Sequence, residues 1–126
     1  MKTLTPEQIK SIRQNPNKQN WYSLSRDYKL PADFVREFKD KVDWHFISYF
    51  QILSEDFIRE FQNEVEWLCI SMCQNLSEEF FLEFKHKLFN EKYFTECYYI
   101  KNYNNVKHFL KYGMKLDNHS RNILIS

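Results

Sequence analysis

Apolar residues lie three and four positions apart along most of this chain, and one arrangement of them returns every 23 residues from Leu30 to Phe84. This spacing predicts helices, because strands alternate every second residue. A fixed period of self-similarity is typical of a repeat array. The matched apolar positions are Leu30, Leu53 and Leu76; Phe34, Phe57 and Phe80; Phe38, Phe61 and Phe84; and Val42, Val65 and Leu88.

Each repeat divides into two short helices. In the clearest copy the first helix, LSEDFIREFQNE, has Ser54 as its N-cap, followed by two acids that favour the positive end of the helix dipole. The second helix, VEWLCISMCQ, carries Trp67, Ile70 and Ser71 on one face, and Ser71 is small enough to let a neighbouring helix approach closely. Helices of this length are marginal alone, so we expect stacking of their aromatic faces to stabilise them.

A less regular copy precedes these repeats. Its matches, at an offset of 26 residues, are Leu4 with Leu30, Ile9 with Val35, and Ile12 with Phe38. From Trp21 onward the offset returns to 23, which pairs Trp21 with Trp44 and Trp67. We expect the polar segment 14–20 to form a loop that takes up the three extra residues.

The repeat pattern weakens after residue 89. Asn90 stands where a tryptophan is expected, and the segment NEKYFTECYYIK predicts an aromatic-rich helix. Another helix is predicted to begin at Asn104 or Asn105 and to end with Gly113 as its C-cap. The residues of that helix expected to point inward are Val106, Phe109 and Leu110.

Together these patterns predict an all-α fold, a small α-solenoid of about three and a half helix-turn-helix repeats with a C-terminal helical cap. We expect one domain over residues 1–126, with a degenerate repeat in 1–29, core repeats in 30–89, and a cap and tail in 90–126. The composition agrees, because one Gly and three Pro leave few residues for the tight turns of strand-rich folds.

Charge is distributed unevenly along the chain. Residues 1–29 carry six Lys or Arg against two acids, residues 30–89 six against twelve, and residues 90–126 six against three. A nucleic-acid-binding domain is usually clearly basic, so nucleic acid is not the expected partner. The residues that would carry such binding at the two basic ends are Lys10, Arg13, Lys18, Arg26, Lys101, Lys107 and Lys111.

The three cysteines, Cys69, Cys73 and Cys97, form no even disulfide framework. The first residues, MKTLTPEQIK, lack the apolar stretch of a signal peptide. No run approaches the 18 apolar residues of a membrane span. We therefore expect a cytoplasmic protein that makes no use of a membrane.

The unit LSEDFIREFQNEVEWLCIS resembles short helical repeats found in proteins of large DNA viruses and some phages, whose pattern is L-S-E-E-F-I-x-E-F-x-x-x-V-x-W-x-x-I-S. The resemblance covers residues 30–84 closely and residues 4–29 loosely. It implies a viral or phage origin and a helical repeat fold. The segment NVKHFLKYGMKLDN also resembles the second helix and loop of an ankyrin repeat. Neither resemblance specifies a function.

The sequence offers little for catalysis or for a cofactor. Cys69 and Cys73 have a spacing that can hold a metal on a helix, but Phe46 and Phe50 occupy the same positions one repeat earlier, which favours small buried apolar residues. The serines and glutamates recur once per repeat, whereas a catalytic pair should be singular. There is no glycine-rich phosphate loop. We expect no metal, no cofactor and no enzymatic activity.

Positions that differ between repeats are free to serve a partner. In the second helix these positions are His45/Leu68, Phe46/Cys69, Tyr49/Met72 and Phe50/Cys73. They lie opposite the Trp, Ile and Ser face, so they are either central in the stack or part of an exposed apolar strip. The candidate binding residues are His45, Phe46, Tyr49, Phe50, Leu68 and Met72.

The leading hypothesis is a non-enzymatic module that binds another protein. The viral or phage origin that the resemblance implies leads us to expect a host or viral partner in the host cytoplasm. That origin and the small size of the chain suggest the hypothesis that it inhibits a host defence complex by occupying a surface. The alternatives are a self-assembling structural protein, such as a homodimer, and nucleic-acid binding through the basic ends.

Overall fold

Short helices make up most of the protein, as the apolar spacing predicted. A computed structural model describes residues 1–88 and 103–112. The helices are α1 (Pro6–Gln14), α2 (Trp21–Asp27), α3 (Ala32–Glu37), α4 (Trp44–Phe50), α5 (Glu55–Glu60), α6 (Trp67–Cys73), α7 (Glu78–Glu83), α8 (Lys85–Leu88) and α9 (Tyr103–Lys111), with a 3-10 turn at Pro16–Lys18. The helix predicted in residues 90–101, Cys97 and the Gly113 cap lie outside the described residues.

Two short strands accompany these helices, and the sequence pattern did not predict them. Strand β1 (Lys2–Thr3) pairs in parallel with strand β2 (Tyr28–Lys29), and Lys2 lies opposite Tyr28. The linker after α2 is extended, with φ −115° and ψ 139° at Tyr28. Extended linker backbone can therefore pair with the first residues of the chain, which the 3.6-residue pattern does not reveal.

The first helix of each repeat begins where the sequence places its cap. Ser54 accepts a hydrogen bond from the N–H of Phe57, and Ser77 accepts one from the N–H of Phe80. These bonds satisfy backbone donors that the helix itself leaves unpaired. The prediction of Ser54 as an N-cap is therefore confirmed.

The three extra residues of the first copy lie in its helix, so the prediction that a loop takes them up is wrong. Helix α1 has nine residues, whereas α3 has six. In the 23-residue register α1 begins three residues before α3 does. A capping box supports this start, because the side chains of Thr5 and Gln8 each bond the other's backbone N–H. The connection to the second helix then runs from Asn15 to Asn20, matching Phe38 to Asp43 in length.

The repeated apolar positions form one continuous core. Phe34, Phe57 and Phe80 are all buried, and so are the rings one turn later, Phe38, Phe61 and Phe84. Burying a phenylalanine contributes about 2–3 kcal/mol, so the stack of matched rings is a main source of stability. The tryptophans are half-buried, and each donates its Nε1–H to the carbonyl five residues earlier: Trp21 to Pro16, Trp44 to Lys39, and Trp67 to Gln62.

The second helices α2, α4 and α6 pack against one another in chain order. The repeated serine lies at each contact, fully buried at Ser25 and Ser48. Ser25 Oγ accepts from the N–H of Asp43 at 2.9 Å, and Ser48 Oγ accepts from the N–H of Glu66 at 3.0 Å. The small side chain thus permits the close approach expected from the sequence and also satisfies a backbone donor.

A row of buried amide side chains joins successive linkers, and we call it the amide ladder: Gln51, Gln74 and Asn105. Gln74 accepts from the N–H of Leu53 and donates to the carbonyls of Ser48 and Gln51. Gln51 makes the equivalent three bonds one repeat earlier. Each amide therefore satisfies three backbone groups in and just before the preceding linker.

Asn105 makes the same set of bonds from helix α9. Its Oδ1 accepts from the N–H of Leu76 at 3.2 Å, and its Nδ2 donates to the carbonyls of Ser71 and Gln74 at 2.9 and 2.6 Å. The sequence predicted Asn104 or Asn105 as the start of this helix. In the structure Asn105 lies within the described helix Tyr103–Lys111, and its buried amide completes the ladder.

The first helices are linked on their outer side by an ion-pair ladder: Arg13–Glu37, Arg36–Glu60 and Arg59–Glu83. Each pair joins neighbouring repeats and spans 24 residues. The side chains are substantially exposed, and such pairs contribute little stability individually. Their regular spacing shows that the repeats they join share one register.

Among the described residues, no helix combines the length and the apolar character needed to cross a lipid bilayer.

Candidate functional site: an aromatic surface on the second helices

The positions that vary between repeats come together on one side of the second helices. Their opposite side is fully occupied, because Ile47 and Ser48 of α4 are completely buried. We call the residues on the outward side the aromatic surface: Tyr22 of α2 with His45, Phe46, Tyr49 and Phe50 of α4. Leu68 and Met72 of α6 extend it and are half-buried.

Ring contacts connect these residues across two helices. Tyr22 and Phe46 meet edge to face, with ring centres 4.4 Å apart and planes at 87°. Phe46 continues to Phe50 at 5.6 Å, and Phe50 meets Tyr49 edge to face at 4.7 Å. Such geometry suits the electrostatic quadrupole of each ring, so the surface is held in a defined shape.

The surface is partly open to solvent. Tyr22 is 51% exposed and Phe50 is 41% exposed, whereas Phe46 and Tyr49 are half-buried. His45 is also exposed and lies near the rings of Phe46 and Tyr49. The sequence left two interpretations open for these positions, central burial or an exposed apolar strip. Complete burial is wrong for His45 and Phe50, because both are exposed.

The two cysteines of α6 differ in their surroundings. Cys69 is 2% exposed, in keeping with its expected role as a small buried residue, and Cys73 is half-buried. The Sγ of Cys69 lies 3.5 Å from Nδ1 of His45, which joins α6 to the aromatic surface. Burial keeps the Cys69 thiol away from reagents. Within the described ranges, no group of three or more metal-ligating side chains is assembled.

Tyr22 belongs to the surface although the sequence comparison did not select it. It stands one period before His45, so the 23-residue register was the signal that could have identified it. Arg26 lies over the Tyr22 ring at 5.1 Å and makes two hydrogen bonds to Asp27, at 2.8 and 3.0 Å. Those bonds lower the pKa of the Asp27 carboxyl and raise the pKa of the Arg26 guanidinium.

Beyond that ion pair the surface is uncharged. Neither WHFISYF of α4 nor WLCISMC of α6 contains Asp, Glu, Lys or Arg. Surfaces rich in aromatic residues and Met, with few charges at the centre, are typical of the cores of protein interfaces. Such a surface can bind apolar groups by exclusion of water, with the Arg26–Asp27 pair at one edge.

The basic residues considered for nucleic-acid binding are partly engaged with acids. Arg13 pairs with Glu37, and Lys111 bonds Glu78. Lys101 lies outside the described residues. These pairings reduce the positive charge that a phosphate backbone would meet.

Comparison of the chain with family models, with curated proteins and with solved structures finds no match. What the protein does is therefore inferred from its own residues and their geometry.

Proposed function

We propose that this protein is a small α-solenoid that binds another protein through the aromatic surface of its second helices, without catalysing a reaction. The run of contacting rings from Tyr22 through Phe46 to Phe50, exposed at its two ends, is the observation that carries the proposal. Aromatic rings offer a large contact area at low cost in conformational entropy. The repeat positions conserved between copies serve the stack, which leaves this surface to the partner.

The solenoid part of the proposal is supported by the equivalence of contacts between repeats. The ion-pair ladder, the amide ladder and the serine contacts each recur with the 23-residue period. In a solenoid each repeat contacts its neighbours and presents a continuous side surface for binding. The aromatic surface has that placement.

The kind of partner follows from the surface chemistry and from the viral resemblance. An uncharged aromatic surface fits an apolar patch or segment of another protein. The resemblance to repeats of large DNA viruses and phages leads us to propose a host or viral protein in the cytoplasm, and inhibition of a host defence complex by occupation of its surface.

Affinity purification with matched variants tests this proposal. Three tagged proteins are compared: the wild type, a Tyr22→Ala/Phe50→Ala double variant, and Leu82→Ala. Leu82 is the matched control, because it is 47% exposed but lies on a first helix. Retained helicity in circular dichroism shows that each variant folds.

We expect the wild type and the Leu82→Ala variant to retain the same partner. We expect the double variant to retain at least about tenfold less of it, since truncating two hot-spot aromatics of an interface costs over 1 kcal/mol each. The proposal is wrong if the double variant retains the partner undiminished. It also fails if the wild type recovers no specific protein from infected host cells.

A further inference from the structure

A polar contact joins the aromatic surface to helix α6. Nδ1 of the His45 ring lies 3.5 Å from Sγ of Cys69. We infer that this contact holds His45 as the tautomer with its proton on Nε2, so that the surface offers a partner one fixed hydrogen-bond donor. The inference rests on the proposed function and adds to it a residue that selects among partners.

The repeats fill the positions of this contact in different ways. Phe46 of α4 meets Tyr22 of α2 edge to face, with ring centres 4.4 Å apart. One period later, Cys69 and His45 stand at these two positions. A contact between two rings is thus replaced by a contact between a thiol and an imidazole, with both members changed together. A second pair of rings would meet the needs of packing, so the paired change points to a use for the polar groups.

The surroundings of the two side chains decide which atom donates. Cys69 is 2% exposed, and burial disfavours a charged thiolate, so its sulfur keeps the proton. Sulfur is a weak acceptor, whereas the unprotonated nitrogen of a neutral imidazole accepts well, so the S–H of Cys69 donates to Nδ1. A neutral imidazole carries one ring proton, and in His45 that proton therefore lies on Nε2.

The Nε2–H group is left for a partner. His45 is exposed, and the described residues supply no hydrogen-bond acceptor to its Nε2. The ring is stacked near Tyr49, with centres 6.3 Å apart, and meets Phe46 edge to face at 5.4 Å, so its direction is defined. A protein segment that covers the aromatic surface must bring an acceptor oxygen, a carbonyl or a carboxylate, to this donor, because a covered donor without an acceptor costs affinity.

The tautomer is measured without a partner, by nitrogen NMR of the histidine rings of the whole chain at about pH 8, where a histidine of ordinary pKa is neutral. The chemical shift of each ring nitrogen shows whether it carries the proton. We expect His45 to be protonated on Nε2 alone. In a Cys69→Ala variant we expect its shifts to move toward those of His86, an exposed histidine of the same chain. A proton on Nδ1 in the wild type, or unchanged shifts in the variant, would overturn the inference.

The role of the donor is tested with a peptide selected on the whole chain from a random library displayed on phage. Its affinity for the wild type, His45→Leu and His45→Gln is measured by fluorescence anisotropy. Leucine is the residue that α6 carries at this position, as Leu68, and glutamine keeps an N–H donor. We expect His45→Leu to bind at least about fivefold more weakly, because the acceptor is left unpaired, and His45→Gln to stay within about twofold of the wild type.

The two proposals fail in different ways. Equal affinity of the wild type and His45→Leu for a peptide that requires Tyr22 and Phe50 overturns the inference and leaves the proposed function standing. If no selected peptide requires Tyr22 and Phe50, the proposed function fails, and the donor has no partner to select.

Discussion

The side-chain oxygen of Gln51 accepts a hydrogen bond from the backbone N–H of Leu30 at 3.1 Å, 21 residues earlier in the chain. The same amide donates to the carbonyls of Ser25 and Tyr28 at 3.1 and 2.7 Å. Because Gln51 is only 4% exposed, these groups have little access to water as a substitute. One polar side chain therefore makes the junction between two repeats possible.

Replacement of Gln51 by Leu should destabilise the fold by roughly 2–4 kcal/mol, since it keeps the bulk of the side chain but leaves buried backbone groups unpaired. Urea unfolding followed by circular dichroism measures the change. Gln62→Leu is the matched control, because its amide donates to one carbonyl, that of Arg59, at a half-buried position. We expect that control to lose less than about 1 kcal/mol. Equal losses in the two variants would contradict the role given to the amide ladder.

The second helices offer a test of capping. Asp43 accepts from the N–H of Phe46 at the start of α4, whereas Glu66 makes no side-chain cap bond at the start of α6. The shorter aspartate reaches the backbone donor better than glutamate does. Glu66→Asp should therefore raise the free energy of unfolding by about 0.5–1 kcal/mol.

The reverse change, Asp43→Glu, is the control for that experiment and should lower stability by a similar amount. Thermal unfolding of both variants beside the wild type gives the comparison. If Glu66→Asp does not raise the free energy of unfolding, the cap at α6 is not limited by side-chain length.

Stability should fall in acid. The hydrogen bond from Arg36 lowers the pKa of Glu60 below its ordinary value of 4.5. The bonds from Lys111 and Tyr112 lower the pKa of Glu78 in the same direction. A carboxyl whose pKa is lower in the folded state stabilises the fold above its unfolded pKa, and this contribution disappears as the pH falls through the folded pKa.

We therefore expect the free energy of unfolding to decrease from about pH 5 to about pH 3, and Glu60→Gln to flatten part of that decrease. The measurement is urea unfolding at a series of pH values. Glu64→Gln, at an exposed position in the same repeat, is the control and should follow the wild type. If the Glu60→Gln variant also shows the pH dependence of the wild type, the Arg36–Glu60 pair makes no net contribution to the free energy of unfolding.

An array of equivalent repeats should accept one more. Inserting a second copy of residues 53–75 after Asn75 reproduces contacts that already exist. Arg59 of the first copy would pair with Glu60 of the second, and Gln74 of the second copy would bond the linker that follows the first. Nearest-neighbour contacts then increase by one full interface. We expect a folded protein with proportionally more helix and a higher melting temperature, measured by circular dichroism. A chain that loses cooperative unfolding on insertion would argue against the solenoid.

The sequence by itself determined the period, the helices and most of the core. Apolar side chains at Phe57, Ile58 and Phe61 recur because each copy must bury the same helix face, so a single chain shows the pattern several times. The Ser54 cap was also visible, because its acceptor and donor lie only three residues apart.

Only the tertiary structure decided which conserved polar residue joins the repeats. Gln51 and Gln74 repeat in the sequence, but their partners are backbone groups that lie 21–26 residues earlier in the chain. Side-chain periodicity carries no information about backbone groups. For the same reason the pattern could not show that Asn105, outside the repeat motif, completes the set.

The openness of the candidate site was likewise decided in three dimensions. Helix α4 is apolar on both sides, and a helical pattern of that kind does not tell a central helix from one with an exposed apolar face. The packing of α4 against α2 and α6 buries Ile47 and Ser48, which leaves His45 and Phe50 on the opposite side of the helix. Their exposure follows from that packing, because it buries one side of α4 and leaves the other at the surface.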